Sequence, residues 1–432
     1  MFNVVATTES VSEVSFHEYR ELRSGKAAGL ARALLFDISL DPEILRQALL
    51  LLGLRHEALR TYFVRNREGL ERRVASAVGL TLTLEDWSMN AAEDAAVHDR
   101  VAELFAQGFD STASSLSRVH LLQVASGRCV LVFSVAQALA DLAAMRILLW
   151  ELSELYLAHL KGVEPDFAPL SCRLSDFVAS HNAWMASRDY QVQLERVCER
   201  IHQSIRIAGG IGMLQMAGDA NGAYMHGRVL QAEESAALFT LAEREKISPT
   251  TLLMLLSATA GARTLDRQGL FFTSSFSNRH FSGAAGLVGH LATTMPVFLD
   301  LSSGAGALTR LRGMHRELFM AMASYGMIPV QEIGHAIGSA YPAPPEGSSL
   351  KFGRLSVDVT VRDDFPMFGT PVTLYPLRSD PRVSNDFKFI WWVYPGSQIR
   401  FWVKGVKGAN NDSLAAEIVD QRIGQALAEL RA

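Results

Sequence analysis

The chain has 432 residues, and 49% of them are hydrophobic. This hydrophobic content excludes a disordered protein, and the chain is too long for one ordinary core. The net charge of -4 supplies no basic surface for a phosphate backbone, so nucleic acid is not an expected partner. No apolar run approaches the roughly 20 residues of a membrane span, and the N-terminus lacks the basic start and apolar core of a signal peptide. We therefore expect a soluble, cytoplasmic protein of two domains.

The first elements alternate strand and helix. A strand-like lead contains Val14, and the apolar run 30–40 predicts a strand. Asp41 and Pro42 then begin a helix, because aspartate caps free N–H groups and proline fits the first helical turn. A short strand at 62–64 follows.

The charged segment 55–61, Arg-His-Glu-Ala-Leu-Arg-Thr, joins that helix to the strand at 62–64. By charge alone it indicates a solvated helix end, since such runs usually face water.

The most informative stretch runs from Val130 to Tyr156. Residues 119–124 and 129–135 predict a hairpin, because both are apolar runs and a glycine lies in the turn between them. The loop that follows carries few groups able to do chemistry, namely Gln137 and Asp141, and a long amphipathic helix comes after it.

Two closely spaced prolines at 164–169 mark a domain boundary, because they cannot both lie inside a regular helix. We expect an N-terminal lobe of residues 1–170 and a C-terminal lobe of residues 171–432, which begins with a long linking helix over 174–205. The glycine-rich 208–212 is a weak candidate for phosphate binding, since no βαβ unit surrounds it.

The second half repeats the alternation of helix and strand. Helices are predicted over 233–246, from Ser248 onward and near 308–324. Strands are predicted at 270–276, from about Thr293, near 355–361, and as a hairpin of 387–394 with 398–403, and a helix over 413–430 ends the chain. The proline-rich 341–347 is expected to be an exposed loop. The three cysteines show no metal-ligand spacing, so we expect no metal.

Several segments, in order, resemble one known family, the condensation domains of nonribosomal peptide synthetases, which belong to the chloramphenicol acetyltransferase-like superfamily. Residues 55–61 are similar to the family's RHExLRT motif, which replaces the solvated-helix interpretation by that of a family structural motif. Residues 136–142 lie where the family has HHxxxDG. Residues 175–184, 277–279 and 286–297 resemble YxDYAxWQ, a strand-end Asn-Arg and GLIGFFVNTLPV.

The resemblance implies an α/β fold of two chloramphenicol acetyltransferase-like lobes in a V shape, with a tunnel between them. It also implies an acyl or peptidyl carrier protein as partner, whose phosphopantetheine arm enters the tunnel, small acyl and amine substrates, and no bound cofactor. The family joins an acyl thioester to an amine. Its motif aspartate is structural and pairs with an arginine, so Asp141 and Arg279 are expected to form a buried ion pair.

This sequence departs from the family at its motif. Both histidines are absent, replaced by Ala136 and Gln137, and the glycine is Leu142. Heterocyclisation domains and cytochrome-recruiting X domains have other patterns, and neither matches. The latch segment reads His290-Leu-Ala-Thr-Thr, and its Thr293 and Thr294, like Ala136 and Leu142, are expected to border the tunnel.

Three functions remain open for this degenerate active site. The first is an amide-forming acyltransferase in which Gln137 orients the amine, because a glutamine exchanges no proton near neutrality. The second is a non-catalytic module that binds a carrier protein or recruits a tailoring enzyme. The third is a different reaction in the same tunnel, with His290 as a replacement base. We expect a free-standing protein, which favours the enzyme because such a chain has no neighbouring domain to serve.

Overall fold

The computed structural model describes residues 8–67, 69–76, 80–88, 94–207, 223–264, 269–281, 283–301, 304–338, 355–361, 366–375, 387–394, 398–406 and 411–431. The helices in these ranges are α1 Phe16–Leu22, α2 Pro42–Arg55, α3 Asp94–Ala106, α4 Leu142–Lys161, α5 Leu174–Met185, α6 Arg188–Ile207, α7 Ala232–Glu245, α8 Pro249–Thr264, α9 Ala307–Tyr325, α10 Val330–Gly338, α11 Asn411–Glu417 and α12 Ile423–Arg431. A 3-10 turn, Glu57–Arg60, follows α2, and a π-helical turn, Ile418–Arg422, joins α11 to α12. Within this part of the chain, no helix combines the length and apolarity needed to cross a membrane.

The strands of the same ranges are β1 Thr8–Ser12, β2 Lys26–Ala27, β3 Gly29–Phe36, β4 Thr61–Asn66, β5 Gly69–Ala75, β6 Thr81–Asp86, β7 Phe109–Asp110, β8 Ser117–Ala125, β9 Arg128–Ala136, β10 Ala223–Val229, β11 Gly269–Phe276, β12 Thr293–Asp300, β13 Leu355–Val361, β14 Thr373–Leu374, β15 Phe387–Val393 and β16 Ile399–Val406.

The chain divides into two compact units. The first lies within Met1–Ser187, Ser277–Ala292 and Phe365–Pro381, and the second within Arg188–Phe276, Thr293–Asp364 and Arg382–Ala432. The predicted boundary at 170 and 171 falls inside the first unit, and that prediction does not include the two later segments.

The first unit is built on a five-stranded sheet of the described residues, in the order β14-β3-β9-β8-β6. Strand β9 pairs antiparallel with both β3 and β8, which confirms the predicted hairpin. Its side chains alternate between two cores, as successive residues of a strand point to opposite faces. Leu131 and Phe133 join the core that α2 and α4 cover, whereas Val130 and Val132 face α3. Since β9 is buried on both faces, the loop after it is fixed to a rigid support.

The second unit contains a mixed sheet of six strands in the described residues, in the order β10-β16-β15-β13-β11-β12. Strand β13 runs parallel to β11 and β15, and the other pairs are antiparallel. Helix α8 is buried on nearly all sides, as its apolar composition requires. Its Ser257 accepts a 2.7 Å hydrogen bond from the indole Nε1 of Trp391, so the largest buried side chain of this core keeps its polar atom paired.

Helix α2 begins where the sequence predicts, because the Asp41 carboxylate accepts from the backbone N–H groups of Glu43 and Ile44 at 2.8 and 3.1 Å. The strand predicted over 30–40 ends at Phe36 instead of Leu40.

Two predictions of secondary structure are wrong. No strand contains Val14, because β1 ends at Ser12 and α1 follows. The single helix predicted over 174–205 is two helices, α5 and α6. The break comes at Ser187, whose hydroxyl and backbone N–H both donate to the carbonyl of Trp184, so that the chain turns instead of continuing the helix.

Helix α10 was not predicted, although its apolar residues Ile333 and Ile337 are fully buried. The glycine-rich 208–212, the loop 341–347 and the hairpin turn 395–397 lie outside the described residues.

The segment that resembles RHExLRT is buried, so its interpretation as a solvated helix end is wrong. His56 and Glu57 are 2% and 8% exposed. The Glu151 carboxylate of α4 lies 2.9 Å from Arg55 Nε and 2.7 Å from His56 Nε2. Glu57 accepts from the backbone N–H of Ser175 at 2.9 Å and from Arg173 Nε at 2.7 Å, and these hydrogen bonds hold its pKa below the usual value against the effect of burial. The segment therefore fastens α2 to α4 and α5.

Candidate active site

The loop between β9 and α4 is fixed by backbone hydrogen bonds at its start and by a cap at its end. The N–H of Ala136 donates to the carbonyl of Leu116 at 2.8 Å, and that of Gln137 donates to Ala28 at 2.9 Å. At the other end, Asp141 is the N-cap of α4, and its Oδ1 accepts from Ala144 N at 2.8 Å.

The second oxygen of Asp141 ties this loop to residues 277–292. Its Oδ2 accepts from Arg279 Nη1 at 2.9 Å and from the backbone N–H groups of Leu291 and Ala292 at 3.0 and 2.9 Å. Asp141 is only 6% exposed, and with four donors around its carboxylate the buried charge is well compensated.

The remaining N–H groups of Arg279 donate to backbone carbonyls of its own segment. Nη2 donates to Leu287 at 3.0 Å and to Gly289 at 3.1 Å. The preceding residue, Asn278, adopts a left-handed backbone with φ of 54°, which asparagine tolerates better than most residues, and its side chain donates to Leu291 O at 2.9 Å. These bonds hold residues 277–281 and 283–292, which we call the hook, against the β9–α4 loop.

The hook places the imidazole of His290 on the backbone of Gln137. The Nδ1 of His290 lies 2.7 Å from the Gln137 carbonyl oxygen. A carbonyl oxygen only accepts, so Nδ1 carries the proton, and the neutral ring has its lone pair on Nε2. Within the described part of the chain, Nε2 has no hydrogen-bond partner. The two residues that the sequence singled out as catalytic candidates are therefore in direct contact.

Burial lowers the pKa of His290 from its ordinary value, although the Asp141 carboxylate and the Gln137 carbonyl act in the opposite direction. The imidazole is consequently neutral at neutral pH. A neutral imidazole with an unpartnered Nε2 can accept a proton, which neither the side chain of Gln137 nor that of Ala136 can do.

Gln137 also makes backbone contacts, which the sequence analysis did not consider. Its side chain is half-buried, and its amide makes no hydrogen bond to the residues that the structure describes. Its backbone, by contrast, holds Ala28 on one side and His290 on the other.

The four residues predicted to border a tunnel have different environments. Ala136 is fully buried at the end of β9, whereas Leu142 is 51% exposed at the start of α4. Thr293 is buried in the second unit, where its hydroxyl donates to the carbonyl of Gly326, and Thr294 follows it in β12, half-buried. Over the residues described, no cluster of His, Cys, Asp and Glu side chains could hold a metal ion.

The sequence analysis missed His17 of α1, whose ring stacks on that of His290. The ring centroids are 4.6 Å apart, and the ring planes differ by 11°. The capping box of Ser15 and Glu18, in which each side chain bonds the other's backbone N–H, was the signal for this helix. No sequence pattern indicates that the helix brings His17 to His290.

The two stacked histidines should make stability depend on pH. Both have a pKa below the ordinary 6.5 in the folded chain, chiefly because they are buried, whereas the unfolded chain titrates near its ordinary value. Below pH 6.5 the unfolded chain therefore binds more protons, and stability falls as the pH drops through the folded pKa values.

Urea unfolding at about pH 7.5 and about pH 5.5 measures this loss. In His17→Phe, which keeps a ring but cannot titrate, we expect a smaller difference between the two pH values. An equal difference in the variant would show that His17 is not a source of the pH dependence.

Comparisons with known proteins agree with this architecture. A family model described as a condensation domain matches residues 25–338. Malpinin synthetase of Mortierella alpina is 22% identical over 292 residues, which are 66% of this chain and 4% of that protein. Phosphinothricin tripeptide synthetase PhsB of Streptomyces viridochromogenes is 27% identical over 278 residues, 62% of this chain and 23% of that protein. The chain thus spans a small part of these relatives.

A solved structure gives the fold. The starter condensation domain of rhizomide synthetase RzmA superposes with a TM-score of 0.78 at 14% identity, covering 98% of this chain and 95% of that one. This likeness confirms the predicted mixed α/β fold of two chloramphenicol acetyltransferase-like lobes. With the family model matched over most of its length, the chain belongs to the condensation domain family.

Proposed function

We propose that this protein is a divergent condensation-type acyltransferase of natural-product biosynthesis, which joins a carrier-bound acyl thioester to an amine with His290 as its base. The single observation that carries the proposal is the 2.7 Å hydrogen bond from His290 Nδ1 to the Gln137 carbonyl. It fixes a basic Nε2 next to the loop where the family resemblance expects a histidine.

The reaction needs one proton to be moved. The amine nitrogen attacks the thioester carbonyl carbon, forming the C–N bond, and the electron pair of the C–S bond leaves with the sulfur. His290 Nε2 takes the proton from the nitrogen and returns it to the sulfur, so the products are an amide and a thiol. A positioned base contributes about 10² to 10⁴ in rate to such a step.

Positioning of the two substrates supplies the remaining rate enhancement. Holding two reactants in place is equivalent to an effective concentration of roughly 10⁵ to 10⁸ M, and an amine with a pKa of about 8 is partly free base near neutrality. The half-buried Gln137 amide, unpartnered among the described residues, is available to orient the amine. An alcohol has no comparable fraction of reactive form, which favours an amide product over an ester.

The names of the similar proteins support a thioester as the acyl donor. The relatives named above are synthetases, one of them of a tripeptide, and the RzmA domain was solved as a mutant in complex with C8-CoA and Leu-SNAC. We infer that the acyl donor of this chain is a thioester on the phosphopantetheine arm of an acyl or peptidyl carrier protein.

Reconstitution with a panel of acyl-loaded carrier proteins and Leu-SNAC as the amine tests the proposal. Intact mass spectrometry should show loss of the acyl group from the carrier only when the protein is present, together with an N-acylated Leu-SNAC. Carriers that bind this protein but keep every acyl group would contradict catalysis and indicate the non-catalytic module instead.

The same assay tests Gln137. In Gln137→Ala the backbone carbonyl that holds His290 remains, and the amide is lost. We expect kcat/KM to fall roughly fivefold to tenfold, the effect of one neutral hydrogen bond. Unchanged product formation in this variant would remove the Gln137 side chain from the mechanism.

A further inference from the structure

The ring of His17 covers one face of the His290 imidazole. The two rings lie nearly parallel at 4.6 Å, and His17 is 7% exposed. Its Nδ1 is buried without a hydrogen-bond partner in the described structure. His17 is therefore held by packing, with its ring nearly parallel to that of His290.

The surroundings of His17 keep it uncharged. A proton on its buried Nδ1 would have no acceptor, and burial lowers the pKa of this ring well below the ordinary value, with smaller effects from His290, Arg20 and His181. The groups with an electrostatic effect on His290 are of both signs, and they are Asp141 at the start of α4 and Arg20 and Glu21 of α1.

The uncharged state of His17 matters when His290 takes up a proton. Its imidazolium then lies against the face of a neutral aromatic ring, which is a favourable arrangement for a cation. Two charged rings at the same distance would repel each other. A second titrating histidine in contact would thus obstruct the base, whereas a neutral one supports it.

We propose that His17 is a positioning residue, whose ring remains neutral and fixes the plane of the His290 imidazole while His290 takes up a proton. The proposal rests on the proposed function of His290 for its catalytic part. Its structural part, the neutral stacked ring, stands without it.

Histidine NMR of the full chain separates the two parts. The Cε1–H resonances of the twelve histidines are followed against pH, and His290→Asn and His17→Phe assign the two signals. In the wild type, His290 should titrate while His17 keeps the shift of a neutral ring at the same pH. His17→Phe should leave the His290 midpoint unchanged, because it replaces one neutral ring by another.

His17→Ala removes the ring and admits water. We expect the His290 midpoint to move toward the ordinary value near 6.5 and its signal to broaden as the ring gains freedom. His159→Ala, which removes an exposed histidine at the end of α4, is the matched control and should change neither. If His17→Ala fails to fold, the comparison of wild type with His17→Phe still decides the charge state of His17.

The activity assay gives the second readout. In His17→Ala, kcat should fall about tenfold with KM little changed, and His17→Phe should restore it to within about threefold of the wild type. A His290 midpoint that rises in His17→Phe would overturn the proposal, because it would show that His17 carries charge. An unchanged midpoint, line width and kcat in His17→Ala would overturn it as well. Inactivity of the wild type would refute the proposed function alone.

Discussion

Asp141→Ala should lower the free energy of unfolding by at least about 3–5 kcal/mol, the usual cost of breaking a buried ion pair by removing one partner. Asp141 and Arg279 have side chains only 5% and 8% exposed, and in the variant the guanidinium stays behind without its carboxylate. The variant also loses the cap of α4 and the acceptor for Leu291 and Ala292.

Urea unfolding at neutral pH measures this prediction. Asp37→Ala is the matched control, because Asp37 also forms an ion pair, with Arg128 at 2.9 Å, but both side chains are exposed. Such surface pairs contribute little, so the control should unfold close to the wild type. Similar midpoints for Asp141→Ala and Asp37→Ala would show that the Asp141 carboxylate does not hold the hook to the loop.

His290→Asn should reduce kcat/KM by about 10² to 10⁴, the contribution of a positioned base. Asparagine is the replacement that best separates the two roles of His290, hydrogen bonding and proton transfer. Its side-chain NH₂ lies near the position of Nδ1 and can still donate to the Gln137 carbonyl. The variant therefore keeps the hydrogen bond that positions the side chain and loses the basic Nε2. His290→Ala loses both and should be no more active.

The pH profile provides a second test of His290. The base acts only when unprotonated, so wild-type kcat/KM should fall as the pH drops through the His290 pKa, which burial places below 6.5. In His290→Asn this limb should disappear, while the limb of the acceptor amine near pH 8 stays. A further fall below pH 6.5 that is equally steep in the variant would assign this lower limb to another group.

Local sequence patterns were sufficient where a short segment determines its own structure. The Asp41 cap and the β8–β9 hairpin follow from residue types and turn chemistry, and both are present as predicted. The predicted helix 174–205 fails because its apolar spacing continues through Ser187, where a side-chain hydrogen bond stops α5. Periodicity cannot detect such a stop, since it does not count side-chain bonds to the backbone.

Local sequence patterns are also insufficient to predict the contacts of the candidate site. The Asp141–Arg279 contact was implied by the family resemblance, and the structure places these charges 2.9 Å apart. For Gln137 the sequence drew attention to the side chain, whereas the structure makes the backbone carbonyl the atom that positions His290. The stack with His17 depends on where α1 packs, and nothing in the local sequence around Ser15 encodes that contact.

Single-turnover acyl transfer tests the central claim, that His290 Nε2 replaces the absent motif histidine. An acyl-loaded carrier protein is mixed with Leu-SNAC and an excess of wild type or His290→Asn at about pH 7.5, where the wild-type imidazole is neutral. Intact mass spectrometry follows the carrier with time. We predict that His290→Asn, with the same unfolding midpoint as the wild type, transfers the acyl group at least about 100-fold more slowly. Equal rates for the two proteins would contradict the claim.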